Sequence, residues 1–337
     1  MRSPSRYRWV RSAGAILFAV GASACAETAP STLHPEGPGA DRIAGLWWFM
    51  FWVSAVVVAV VTALILIGVL PGRRNRGPRG AGAPRWAGRL VVVGGVVVPV
   101  IILAVLWVLT LSDMSALSQT GRTAALKVQV IGHQWWWEVR YPQQGFATAN
   151  DIHVPVGRPV EVELTTDDVI HSFWVPQLTG KTDLVSGRTT RMWIQADRPG
   201  VYRGQCAEYC GLQHANMIFY VVADSPARFR DWLNKEGQQA ATPTVGDAVR
   251  GREVFLSSAC VGCHTIRGTD AAGTVGPDLT HVGSRVSIGA GALANTPSNL
   301  AIWISDSQVV KPGNLMPPIP LSRDELEAVV AYLQGLK

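Results

Sequence analysis

Charged residues are scarce in this 337-residue chain: Asp, Glu, Lys and Arg make up 16% of it, against 48% hydrophobic residues. That balance excludes an intrinsically disordered protein, which needs low hydrophobicity and high net charge, and it is unusual for a soluble one. Acidic residues are missing altogether between Asp41 and Asp113, so no carboxylate can act within that stretch. No internal repeat is present, which excludes a solenoid or propeller. The basic excess, 30 Lys and Arg against 24 Asp and Glu for a net charge of +6, lies in two places. Arg2, Arg6, Arg8 and Arg11 crowd the N-terminus, and Arg73, Arg74, Arg76, Arg79, Arg85 and Arg89 fill one short segment; without these ten the remainder holds 20 basic and 24 acidic residues. The excess is therefore topological, and no nucleic-acid partner is expected.

What the chain does have is long apolar runs. Residues 43–70 and 90–111 carry no charge and are rich in Val, Leu and Ile. Each exceeds the roughly 20 residues that a helix needs to cross the bilayer, and lipid satisfies backbone groups only in helices or closed barrels. Two transmembrane helices are expected, with Pro99 kinking the second. The 71–89 segment between them holds six Arg and no acid, so it is read as a cytoplasmic loop. Both ends of the mature chain then face outward. Residues 1–24 read as a signal peptide: a basic start, an apolar stretch over 13–24, and the small-residue pattern Ala22-Ser23-Ala24. Cys25 follows directly and is a candidate for lipid modification, although Ala22 stands where bacterial lipoprotein signals usually carry Leu. Residues 25–42 form a short exported segment.

Length favours two or three folded units, and composition changes twice after the spans. Short alternating runs over 126–131, 160–164, 191–195 and 217–222, punctuated by Gly and Pro, predict a β-sandwich over 125–222. A helix from Pro226 to Glu236 and a polar linker occupy the rest of 223–245. The last unit, 246–337, begins with a helical stretch to 259 and ends with an amphipathic helix over 322–336, where Ser322 and Glu325 make a capping box.

The chain has five cysteines, Cys25, Cys206, Cys210, Cys260 and Cys263. In an exported body the plain reading is two disulfides and an odd thiol. The companions of each pair argue otherwise. Cys260-Val-Gly-Cys263-His264 is the haem-attachment pattern, two thiols to bond the vinyl groups and an imidazole for the iron. Met316, between Leu315 and Pro317, is the expected second axial ligand, and a thioether there would raise the reduction potential. His281 is the competing candidate. A thioredoxin-like redox pair is the other reading of the motif, but it leaves His264 unexplained and the surrounding pattern is not βαβ. With Gly276-Pro277-Asp278-Leu279, the segment resembles a class I cytochrome c, all-α, from Gly246 to Lys337.

The other pair lies in Cys206-Ala-Glu208-Tyr-Cys210-Gly-Leu-Gln-His214-Ala-Asn-Met217. Soft sulfur with imidazole suits copper. One Cys, one His and one Met would make a mononuclear site; a second Cys permits two bridged coppers, and His171 supplies another imidazole from an earlier loop. Here the chain resembles cytochrome c oxidase subunit II, with its cupredoxin-like domain. That resemblance implies a binuclear copper A centre bridged by Cys206 and Cys210, with His171, His214, Met217 and the carbonyl of Glu208 completing it. It further implies that the Glu208 carboxylate reaches a magnesium ion shared with subunit I. In Gly132-His133-Gln134-Trp135-Trp136-Trp137-Glu138, the resemblance marks Trp135 as the point of electron input. Trp136 and Trp137 read as core or interface aromatics, and His133 and His153 as structural.

A haem c fused to a copper A domain resembles the caa-type haem–copper oxidases. The expected molecule is a multi-domain membrane protein: a two-helix transmembrane hairpin, a cupredoxin-like sandwich and a cytochrome c domain, in a bacterial cell membrane with both domains on the outer face. Its implied partners are oxidase subunits I and III and a cytochrome c or cytochrome complex as donor. One departure stands out: many relatives carry a carboxylate near the cytoplasmic end of the second span, and this chain has none there. A copper A nitric oxide reductase, or a redox sensor or copper carrier without an oxidase, would show the same ligands.

Overall fold

The computed structural model describes residues 30–72, 85–118, 124 and 126–337. The signal peptide, Cys25 and most of the arginine-rich loop lie outside these residues. Two long helical stretches come first: α1, Pro38–Gly72, and a second made of α2, Arg85–Val92, a π-helical turn, Val93–Val97, and α3, Val98–Leu117. Both are apolar enough to cross a membrane, and the most apolar 18-residue stretch of each has no residue buried within the described structure. The π turn ends one residue before Val98-Pro99. Proline cannot donate to the helical ladder, and the wider turn relieves the carbonyls that its ring would meet. Arg42 Nη1 meets Asp113 Oδ1 at 3.3 Å, tying the two stretches together at one end.

The helix α1 starts before the apolar run because its first turn docks on the domain that follows. Glu36 N donates to Gln177 O at 2.7 Å and Ala40 N to Leu178 O at 3.0 Å. Gly39 approaches Leu178 so closely that a Cβ would lie 2.9 Å from its carbonyl oxygen.

That domain is a sandwich of two five-stranded sheets. One sheet holds β1, Lys127–His133; β2, Trp136–Tyr141; β3, Phe146–Ala149; β5, Val160–Thr166; and β8, Thr190–Ile194, in the order β3-β2-β1-β5-β8. The other holds β4, Asp151–Pro155; β6, His171–Trp174; β7, Thr182–Leu184; β9, Gly200–Cys206; and β10, Ile218–Asp224, in the order β4-β10-β9-β6-β7. β5 alternates buried and half-buried residues along its whole length, the period-2 signature of a strand with one face in the core. Trp137, Phe173 and Phe219 meet at the centre, with ring centroids 4.3 to 5.9 Å apart. Gly204 lies flat under the Phe219 ring, where any Cβ would collide. β10 runs two residues past the expected boundary at 222 and leads through Ser225 into α4, Pro226–Glu236.

The last domain packs α5, Asp247–Ser257, across α8, Arg323–Gly335, with α6, Pro297–Ser305, and the short α7, Ser307–Val310, beside them. Gly251 permits the crossing, since a Cβ there would strike the Ala328 carbonyl. Ser322 caps α8 with the reciprocal Glu325 bonds expected from sequence. The only strands in this domain are two short ones, β11, Ser287–Ile288, and β12, Leu293–Ala294, among the described residues.

Candidate metal and haem sites

Cys206 ends β9, and His171 opens the adjacent β6, whose Phe173 pairs with Cys206. Residues two apart on a strand share a face, so the imidazole and the thiol emerge on one side. Gly132 of β1 leaves room for the ring, for a Cβ there would lie 2.7 Å from His171 Cδ2. The β9–β10 connection then brings Cys210, His214 and Met217 to the same place.

Six donor atoms converge. The thiols of Cys206 and Cys210 are 3.8 Å apart, Cys206 Sγ is 3.9 Å from His171 Nδ1, and Cys210 Sγ is 3.6 Å from His214 Nδ1. Met217 Sδ lies 3.8 Å from Cys210 Sγ, and the Glu208 carbonyl 3.1 Å from Cys206 Sγ. A disulfide needs sulfurs at ~2.05 Å, so the plain disulfide reading fails; all four cysteines among the described residues are free. Both thiols and Met217 belong to the buried sandwich core. The Cys206 thiol is pushed down, first by its hydrogen bond with Cys210 and then by His171 and backbone contacts. Cys210 moves up, because Cys206 is its nearest partner and it is buried.

Asp168 completes the geometry. Its Oδ1 is 2.8 Å from His171 Nε2 and its Oδ2 accepts from Gln134 N at 2.6 Å. This carboxylate fixes the imidazole with Nδ1 aimed at the sulfurs. Burial pushes His171 down, but the Cys206 and Asp168 contacts outweigh it and its net shift is upward. Two thiolates, two imidazoles, a thioether and a carbonyl make a soft donor set that fits copper. The Glu208 carboxylate turns away to the surface, 46% exposed and 3.7 Å from Lys181 Nζ.

In the last domain Cys260, Cys263, His264 and Met316 line one cavity. His264 Nδ1 is 2.8 Å from the Pro277 carbonyl, leaving Nε2 for a ligand, and burial pushes its pKa down toward the neutral, ligating form. Gly276 is required against the ring, where a Cβ would lie 2.6 Å from His264 Cε1. Asn314 Oδ1 accepts from Met316 N at 2.8 Å and Ser307 Oγ donates to Met316 O at 2.7 Å, so the methionine loop is held from both sides. The competing His281 does not line the cavity; its Nε2 meets Gln238 O at 3.2 Å. Arg285 Nε and Ser287 Oγ face burial without a partner and both residues line the cavity. An apolar cavity with orphaned donors at its wall fits a haem, whose propionates would satisfy them.

Gln134, Trp135 and Trp136, from the copper domain, line the same cavity. Trp135 also reaches the sulfur cluster, its Nε1 donating to the Cys210 carbonyl at 2.9 Å beside Gln134 Nε2 at 2.7 Å. Trp137 is fully buried in the sandwich, and Trp136 stacks on His133 at 4.5 Å. His153 stacks on Trp232 of α4 at 4.1 Å and pairs with Asp224 at 2.9 Å, fastening that helix to the sandwich.

Two family models match the chain: cytochrome c oxidase subunit II, periplasmic domain, over residues 142–224, and cytochrome c over residues 248–337. Cytochrome c oxidase subunit 2 of Alkalihalophilus pseudofirmus is 38% identical over 314 residues, which cover 91% of either chain. The chain belongs to the cytochrome c oxidase subunit II family. The subunit 2 of Bacillus subtilis is 31% identical over 335 residues, or 94% of either chain. The periplasmic domain of subunit II from Bradyrhizobium japonicum is 30% identical, with a TM-score of 0.33 over 35% of this chain and 96% of its own. This subunit II therefore carries a fused cytochrome c domain, as in caa-type oxidases, and is a membrane-bound part of a haem–copper oxidase with a periplasmic domain.

Sequence reasoning missed Asp168, Gln134, Arg285 and Lys311 of this subunit II. Asp168 stands three residues before His171 on a turn, a spacing that could have marked it as a partner. Nothing local marks the others. Lys311 is 2% exposed, and burial pushes its amine down to about 7.

Proposed function

We propose that this subunit receives electrons at a covalent haem c held by Cys260, Cys263, His264 and Met316, and passes them through a binuclear copper A to the oxygen-reducing centre of subunit I. Cys206 and Cys210 would hold the two coppers between them, with His171, His214, Met217 and the Glu208 carbonyl as the remaining ligands. The observation that carries this reading is Trp135, which borders the haem cavity and hydrogen-bonds the Cys210 carbonyl at 2.9 Å. It makes Trp135 the point where electrons leave the haem domain. Met316 rather than His281 would be the second residue to hold the iron, because it shares the cavity with His264. The exposed Glu208 carboxylate is free to reach a magnesium ion at the subunit I interface.

The apolar outer surfaces of α1 and α3 pack against subunit I, with subunit III completing the assembly. The arginine-rich loop faces the cytoplasm, both termini lie outside, and the donor is a cytochrome c or a cytochrome complex. Oxygen is favoured over nitric oxide as final acceptor because the relatives named above are cytochrome c oxidases. Stopped-flow mixing of the assembled oxidase with reduced cytochrome c tests the order. The fused haem should reduce first and the copper after it; copper reduction that precedes the haem would refute the route.

A further inference from the structure

Lys311 follows α7 in the haem domain, five residues before Met316, yet its amine is spent on a junction between domains. Its Nζ donates to Trp135 O at 2.7 Å, Asn216 O at 2.7 Å and Gly289 O at 2.9 Å. The first two carbonyls belong to the copper domain, one beside the aromatic bridge and one directly preceding Met217. The third belongs to the haem domain. Three acceptors match the three donors of a protonated amine, and a buried ammonium is tolerated only with such full pairing.

Around this point the domains mesh. Gln213 Nε2 donates to Pro312 O at 2.7 Å, Val286 N to Asp151 Oδ2 at 2.6 Å, and Ile218 N to Ala290 O at 3.0 Å. Gly291, at φ +81, presses on the Ile218 side chain, where a Cβ would lie 2.5 Å away. Inside the haem domain, Asn314 Nδ2 donates to Lys311 O at 2.8 Å, and the same Asn314 holds Met316 N. One lysine thus links the methionine loop, the Trp135 backbone and the residue before Met217.

We infer that Lys311 is a positioning residue that clamps the haem domain onto the copper domain and fixes the haem cavity against Trp135. This rests on the electron route proposed above. The linker after α4 is itself fastened to the haem domain, with Ala240 N donating to Arg267 O at 2.9 Å; covalent connection alone supplies proximity, whereas transfer between the centres needs a defined orientation, and the clamp provides it. Lysine suits the task because its compact ammonium can address three divergent carbonyls, which a planar guanidinium cannot do equally well.

The test compares the wild-type chain, assembled in its oxidase, with Lys311→Met. Two amides that cross the interface without touching Lys311, those of Ile218 and Val286, report docking by hydrogen exchange. In Lys311→Met their protection should fall about 10-fold or more, while core amides of β5 and α8 keep theirs. Electron transfer from photoreduced haem c to copper should slow by about 10-fold or more at unchanged haem and copper spectra. Unchanged exchange and rate would overturn the clamp. Should the variant fail to accumulate, the wild-type exchange decides alone: Ile218 and Val286 must be as protected as β5, and rapid exchange there overturns the docked arrangement. Absence of copper or haem in the wild type would instead refute the electron route, leaving the exchange result to judge the clamp by itself.

Discussion

The two cofactor domains hold their sites in opposite ways. In the sandwich, the sulfurs of Cys206, Cys210 and Met217 are inlaid at the end of a core already filled by Trp137, Phe173 and Phe219. In the cytochrome domain, Phe255, Leu300, Ile304, Val329 and Leu333 are core residues that also line the cavity. There the cavity takes up a large share of the core, space that a haem would fill. The comparison teaches that a few soft donors need only a rigid frame, whereas a large apolar cofactor must replace side chains as the packing material.

The largest effect that separates the two follows from removing haem. Cys260→Ser with Cys263→Ser should abolish covalent haem and leave residues 246–337 sensitive to protease while the sandwich resists; a resistant, haem-free cytochrome domain would erase the contrast. Cys206→Ser is the mirror experiment. Paramagnetic resonance should lose the copper signal completely, with haem absorption and sandwich melting cooperatively as before, and a surviving signal would rule out bridging thiols. Trp137→Ala should lower the stability of the sandwich by ~3–5 kcal/mol, read as a shift in its denaturant midpoint, without altering the reduction potential of the haem.

The reach of sequence reasoning differs between the domains for the same reason. The haem-attachment motif and the Cys206-to-Met217 cluster are local in the chain, so spacing alone exposed them. Ser322 and Glu325 likewise carry their cap within four residues, and both apolar spans announce themselves by length. Strands β2, β3, β4, β6, β7 and β9 lie outside the four expected runs. β2 does alternate, with Trp137, Val139 and Tyr141 buried between Glu138 and Arg140, but the aromatic run at its start masks it, whereas β6 is four residues long with three buried in succession and shows no alternation at all. The early start of α1 depends on Leu178, far along the chain, and the roles of Asp168, Arg285 and Lys311 depend on partners that only folding brings near.

Two smaller effects sharpen the comparison within the haem domain. Met316→Ala should leave the haem attached and lower its reduction potential by redox titration; an unchanged potential would return the axial role to another residue, His281 included. Ser322→Ala removes the capping box of α8 and should destabilise the domain by ~1 kcal/mol, seen as a small shift in thermal unfolding with no change in either cofactor signal.

The central claim is that one chain carries two copper atoms bridged by thiolates beside one covalent haem. Metal analysis and paramagnetic resonance on the full chain, purified apart from its partner subunits and loaded with both cofactors, address it directly. The account predicts two coppers per haem and one unpaired electron shared equally between them. A single copper with a localised signal, or none, would contradict it.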